Sequence, residues 1–73
     1  MGRRDPLHDP RPGDVVDIGD GYAVRIATRT PRKVHVELLG DDDEVLDVLV
    51  RGLGEWRRVC RSVGAAVVER GEP

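Results

Sequence analysis

Five basic or titratable side chains lie close together between residues 25 and 35 of this chain. They are Arg25, Arg29, Arg32, Lys33 and His35. Arginine binds phosphate oxygens through paired hydrogen bonds, and such contacts position proteins on nucleic acids. The segment is therefore a candidate site for nucleic acid or for a small phosphate-bearing ligand. Three further arginines, Arg57, Arg58 and Arg61, would extend this site if the fold brought them beside it.

The composition argues against a dedicated nucleic-acid domain. The isoelectric point is about 5.6, whereas such domains usually lie above about 9. Aromatic side chains, on which bases stack, are limited to Tyr22 and Trp56. Nucleic-acid or anion binding is thus the alternative function rather than the first.

Spacings typical of catalytic or metal sites do not occur in the sequence. The two histidines, His8 and His35, have no nucleophile at a known catalytic spacing. Cys60 falls on a predicted apolar stripe, where a free thiol is usually a small buried hydrophobe, although nearby arginines could lower its pKa. The acidic run over residues 41–44 has no glycine pivot for a calcium loop and is predicted to be a solvated turn. We therefore expect no catalysis, no cofactor and no metal.

The order of the charges is more informative than their sum. The 73 residues carry a net charge of −2. Residues 21–36 contain four basic and no acidic side chains, whereas residues 37–50 contain six acidic and no basic ones. Segregated charge of this kind shapes the surface potential even when the net charge is small.

Short strands joined by turns must position these charges. Residues 15–18, 22–28 and 33–39 alternate between apolar and polar side chains and predict three strands. Glycines at 19 and 21 predict a tight hairpin between the first two, and Pro31 interrupts the pattern between the second and third. Residues 65–69 predict a closing strand.

Residues 44–63 permit two interpretations. The favoured one is a strand over 44–51, with Leu46, Val48 and Val50 facing inward, followed by a short helix over 55–62 that ends at Gly64. The alternative is one amphipathic helix of about 20 residues, which Gly52 and Gly54 would destabilise.

The chain is divided by composition into an arm, one domain and a tail. Residues 1–12 contain three prolines and little apolar surface and predict a disordered arm. The domain spans residues 13–70, and residues 71–73 form the tail. No apolar run is long enough for a membrane span, no secretory signal is recognisable, and the single cysteine favours a reducing compartment, so we expect a cytoplasmic protein.

Two motifs and the order of elements resemble small SH3-like barrels of the KOW and Tudor type, which occur in bacteria and phages. The resemblance covers residues 12–70. Its motifs are Pro12-Gly13-Asp14-Val15-Val16 at the start and Leu53-Gly54-Glu55-Trp56-Arg57-Arg58 with Ala66-Val67-Val68 at the end. It implies a mainly β fold, a five-stranded barrel with one short helix before the last strand. Members of this class bind nucleic acids or peptides, or assemble, so the fold does not decide the function.

Exposed apolar residues favour an interaction module. Leu39, Val45 and Leu49 have the outward parity of their predicted strands, and exposed apolar patches mark protein contacts. A chain of this length also has a small core that oligomerisation can supplement. We therefore predict binding to a protein partner or to further copies of the chain.

Overall fold

The computed structural model describes residues 4–71 of the chain. Five strands and one α-helix follow in the order β1 (Val15–Gly19), β2 (Tyr22–Arg29), β3 (Lys33–Leu39), β4 (Val45–Gly52), α1 (Leu53–Val63) and β5 (Ala66–Glu69), with a 3₁₀ turn at Asp41–Asp43 before β4. All strands are antiparallel and form one sheet in the order β4-β3-β2-β1-β5. The predicted mainly β fold with a helix before the last strand is confirmed.

The sheet is not closed into a barrel. β4 and β5 are its two edges, and no ladder joins them within residues 4–71. Over the same residues no helix combines the length and the apolar character needed to cross a bilayer.

The ambiguous segment forms a strand and a short helix, and the single long helix is excluded. Valines at 45, 48 and 50 are β-branched and favour β4. Gly52 has extended backbone at the start of α1, and Gly64 ends the helix with a φ of 65°. That left-handed conformation is accessible to glycine at little cost.

Helix α1 covers the inner face of the sheet. Its Trp56 and Cys60 contact valines and isoleucine from the first three strands, namely Val16, Val24, Ile26, Val34 and Val36. These seven residues form one buried cluster, and Leu39 and Leu53 are buried as well. The inward positions predicted for β2 and β3 are confirmed for Val24, Ile26, Val34 and Val36, whereas Tyr22 is exposed.

The predicted orientation of β4 is wrong. Leu49 lies opposite Val36 and contacts the core, whereas Val48 lies opposite Glu37 and Val50 opposite His35. Directly paired residues share a face of the sheet, so Val48 and Val50 point outward and Leu49 points inward. A bulge between Leu38 and Leu39 shifts the register where β3 meets β4, and no strand pattern in the sequence reveals it.

The N-terminal segment also differs from its prediction. Residues 4–12 lie against the body of the domain instead of forming a disordered arm, and residues 1–3 fall outside the described part. Pro6 and Pro10 are among the fully buried side chains. The Trp56 Nε1–H donates to the Pro6 carbonyl at 3.2 Å, and Arg57 Nε donates to the His8 carbonyl at 2.8 Å. Burial of proline rings and backbone carbonyls holds this segment, which we call the strap (residues 4–14).

Candidate functional site

The most prominent apolar surface follows β4. Its exposed members are Val45, Leu46, Val48 and Val50, which we call the β4 surface. Val48 is 62% exposed in the middle of the strand. Of the three predicted interface residues, only Val45 belongs to this surface. Leu39 is 1% exposed, so its predicted exposure is wrong, and Leu49 is half-buried on the inner face.

The backbone of β4 has a free side. The Val48 N–H donates to the carboxylate of its neighbour Asp47 at 2.8 Å, and the Val50 carbonyl accepts from the guanidinium of its neighbour Arg51 at 2.9 Å. These two backbone groups therefore face away from β3. Edge strands with such groups can pair with another strand, and here the adjacent side chains satisfy them.

On the outer face of the sheet, an acidic side chain neutralises Arg25 of the predicted basic site. Glu69, Val15, Arg25, Glu37 and Val48 lie in one row across all five strands. Within this row Arg25 Nε donates to Glu37 Oε1 at 2.8 Å, and that hydrogen bond, with the charge of Glu37, raises the pKa of Arg25. Arg25 is thus engaged within the sheet.

The strap neutralises a second member of the basic hairpin. Arg29 forms an ion pair with Asp9 and also donates to the Pro10 carbonyl at 3.3 Å. Arg32 and Lys33 are exposed at the turn, and neither has an ion pair with any residue from 4 to 71. His35 is half-buried on the outer face, opposite Thr28 and Val50.

The helix arginines and the hairpin arginines line different cavities. Arg57 and Arg61 line one of about 310 Å³ together with His8 and Asp5 of the strap. Arg29 lines another of about 380 Å³ at the Pro31 turn. Arg58 is exposed. The structure therefore divides the predicted basic residues between two sites, one where α1 meets the strap and one at the Pro31 turn.

An apolar cavity of about 210 Å³ lies between α1 and the inner face of the sheet. Leu49 lines it from β4, Trp56 and Val59 line it from α1, and Arg51 is its charged lining residue. Arg51 Nε lies 3.6 Å from Glu55 Oε1. The cavity thus adjoins the β4 edge on the inner side, as the β4 surface does on the outer side.

Cys60, the thiol considered as a nucleophile, lies inside the core. Cys60 is 3% exposed, and burial, with a smaller contribution from Asp5, raises the pKa of its thiol to about 11. The thiol is therefore neutral near pH 7. Within the described part of the chain, no three side chains among His, Cys, Asp and Glu come together as metal ligands would.

The sequence did not indicate a buried charge at Asp14. Its carboxylate is fully buried and accepts two hydrogen bonds from Arg4, at 2.5 and 2.9 Å, one from the Arg11 N–H at 2.7 Å and one from the Gly71 N–H at 2.8 Å. Burial alone would raise the pKa of Asp14, but these hydrogen bonds outweigh it and the pKa is lowered from 3.8. The one signal in the sequence is the Pro-Gly turn, which places Asp14 directly before β1.

Comparisons with protein-family models, with curated proteins and with solved structures find no match to this chain.

Proposed function

We propose that this chain is a non-catalytic interaction module that binds a polypeptide strand along β4. The observation that carries the proposal is the free side of β4, an eight-residue edge strand with exposed valines and outward-facing backbone groups. A strand added at such an edge gains main-chain hydrogen bonds and contacts for alternate side chains.

The composition of β4 supports this proposal. Natural edge strands are usually protected by lysine, proline, a bulge, an inward-pointing charge or short length. β4 has neither lysine nor proline, and seven of its eight residues pair with β3, with Leu46 left out at the bulge. Its protection consists of the side chains of Asp47 and Arg51, which satisfy one backbone group each. An incoming strand can replace both of these bonds without moving the backbone.

The resemblance to small SH3-like barrels is compatible with this role. A barrel of that kind would close where β4 and β5 are separate here. The opening leaves β4 accessible, and it leaves the apolar cavity beside Leu49 under the same edge. We also propose that the buried neutral thiol of Cys60 is structural.

Amide exchange with a strand-forming peptide tests the function. The probe is a nine-residue peptide of alternating valine and threonine with lysine at both ends, added at a dilution where light scattering gives the monomer mass of 8.1 kDa. We expect the Val48 amide to exchange more slowly when the peptide is bound, because the peptide replaces Asp47 as its partner. NMR resolves this amide from the others.

The control is the same peptide N-methylated at every valine and threonine, which has no valine or threonine N–H to donate from either edge and cannot form a ladder. It should leave exchange at Val48 unchanged. The proposal is wrong if millimolar unmodified peptide leaves this amide unprotected, or if protection appears only at β5.

The alternative function is binding of an anion at the basic hairpin. It is favoured by Arg32 and Lys33, the two exposed cations at the turn with no ion pair inside residues 4–71. A single-stranded oligonucleotide is the probe, titrated at low and at moderate salt. Phosphate contacts would give an affinity that falls steeply with salt and that Arg32→Glu abolishes. Binding with these properties would replace the interaction module as the proposed function.

A further inference from the structure

The order of charges along β4 identifies which strand completes the sheet. We infer that β4 pairs with β4 of a second copy of the chain, antiparallel and centred on Leu49. This inference rests on the proposed function and names its partner. Two copies related by a twofold axis use the same surface, so their β4 strands must run in opposite directions.

The continuous sheet restricts the registers. Paired residues must lie on the same face, because otherwise the core face of one copy would continue as the solvent face of the other. The axis must therefore pass through a residue of β4 and not between two residues. The central positions from Asp47 to Val50 are the ones that pair most of the strand.

The charges distinguish these four registers. Centring on Asp47 places two carboxylates opposite each other, and centring on Val48 places Asp47 opposite Leu49 of the partner subunit. Centring on Val50 places Arg51 opposite Leu49 of the partner subunit. Only the register centred on Leu49 places Asp47 opposite Arg51 of the partner subunit, and symmetry produces that ion pair twice.

The backbone fits the same register. Val48 and Val50 have the outward-facing groups, and centring on Leu49 places Val48 opposite Val50 of the partner subunit. Each such pair exchanges two hydrogen bonds. Asp47 and Arg51 then occupy the positions where opposed Cα atoms approach to about 4.5 Å. The two side chains exchange their bonds to their own backbone for an ion pair between copies.

Both faces of the joined sheet gain apolar contact. On the outer face Val48 and Val50, each about half or more exposed in one chain, cover their counterparts. On the inner face Leu49 meets Leu49 of the partner subunit, so that the two apolar cavities become neighbours. The pairing covers the exposed valines in the middle of β4.

Charge exchange between two variants tests the pairing. Asp47→Arg alone gives two arginines at each contact, and Arg51→Asp alone gives two aspartates, so each variant should remain at 8.1 kDa by native mass spectrometry. An equal mixture should form a dimer containing one chain of each, because every Arg then faces an Asp. The double variant Asp47→Arg/Arg51→Asp should dimerise by itself.

Disulfide formation tests the register without depending on charge. Leu49→Cys should form a covalent dimer in air, since the two Cα atoms lie within the range that a disulfide requires. Val48→Cys is the matched control and should form far less, because it faces Val50 of the partner subunit. Native Cys60 is buried, so the unmodified chain should form none.

The pairing is overturned if the unmodified chain is monomeric at millimolar concentration, if the mixed variants stay monomeric, or if Val48→Cys forms the disulfide in preference to Leu49→Cys. If these dimer tests fail but the valine–threonine peptide protects the Val48 amide, the proposed function stands and the partner is not a second copy of the chain. Failure of both experiments would remove the proposed function as well.

Discussion

Each edge strand of the sheet has a valine that is exposed to nearly the same extent, but the two strands differ in length and in the order of their charges. Val48 on β4 is 62% exposed and Val68 on β5 is 64% exposed. β4 has eight residues and β5 has four. Exposure of a side chain therefore does not identify the edge that binds a partner. The two edge strands differ instead in the number of available backbone groups and in the order of their charges.

The ends of the edges differ in how they are anchored. After β5 the chain reaches Gly71, whose N–H donates to Asp14 and whose Cα packs so closely on the strap that a Cβ atom there would clash with the Pro12 carbonyl. Within residues 4–71 the free side of β4 has no comparable contact, and side chains of the strand itself satisfy the Val48 N–H and the Val50 carbonyl. The β5 edge is thus part of the folded body, and the β4 edge remains available.

The hydrogen bond from the Gly71 N–H to Asp14 holds the chain after β5, and we call it the β5 anchor. Removing the β5 anchor should produce the largest change in stability. Asp14→Ala removes the carboxylate that accepts from Arg4 and leaves the N–H groups of Arg11 and Gly71 unsatisfied. Breaking a buried ion pair of this kind costs about 3–5 kcal/mol, most of the stability of a domain this small. Urea denaturation followed by circular dichroism measures the loss.

The matched control is Asp17→Ala. Asp17 is exposed, and its carboxylate accepts one hydrogen bond, from the Gly19 N–H at 2.7 Å. We expect a loss below about 1 kcal/mol. Equal losses in the two variants would show that Asp14 does not anchor the strap and the end of β5.

Lysine at the two equally exposed valines should separate the edges directly. Val48→Lys places a charge in the centre of the proposed interface and removes two buried valines per dimer, each worth about 1.5 kcal/mol or more. We expect dimer affinity to fall about a hundredfold or more. Val68→Lys should leave it unchanged. Sedimentation equilibrium of both variants gives the affinities, and a similar loss in both would assign the contact to neither edge.

Alternation predicted β1, β2 and β3 well, because each has a buried and an exposed face in regular sequence. It misassigned β4, because Val48 and Val50 resemble core residues while the charged Asp47 and Arg51 occupy inner positions, opposite Leu38 and Val34. Contacts between residues that are distant in the sequence decide which face of such a strand points inward. The periodicity of a single segment does not contain that information. The strap was missed for the same reason: its buried prolines and its hydrogen bonds to Trp56 and Arg57 depend on α1 being present.

The sequence predicted only part of the candidate site, because it does not show which acidic side chains lie beside the predicted cations. The sequence identified Val45 and the hairpin cations, but whether a cation is neutralised depends on what faces it. Glu37 lies beside Arg25 across two strands, and Asp9 reaches Arg29 from the strap. At the hairpin turn Arg32 and Lys33 remain exposed, as Arg58 does on α1.

Acid should weaken the β5 anchor, because the anchor depends on an ionised Asp14 carboxylate. The pKa of Asp14 is lowered in the folded chain, because the hydrogen bonds outweigh the opposing effect of burial. The stabilisation is therefore complete above the unfolded pKa of about 3.9 and is lost as the pH falls through the folded value. Asp14→Asn, which cannot ionise, should lack this contribution. Stability measured from pH 6 to pH 2 should fall more in the unmodified chain than in Asp14→Asn, and parallel curves would contradict the assignment.

The smallest effect should come from the hydrogen bond between α1 and the strap. Trp56→Phe keeps an aromatic ring in the core but removes the donor to the Pro6 carbonyl. A net loss of about 1 kcal/mol is expected for such a bond, together with faster exchange of the His8 amide, which donates to the Asp5 carbonyl within the strap. Because the hydrogen bonds of the strap reach α1, Arg29 and Gly71, amide exchange along β4 and the dimer affinity should not change. A change at β4 equal to that in the strap would show that the two edges are coupled through α1, and the contrast between an anchored edge and an available one would no longer hold.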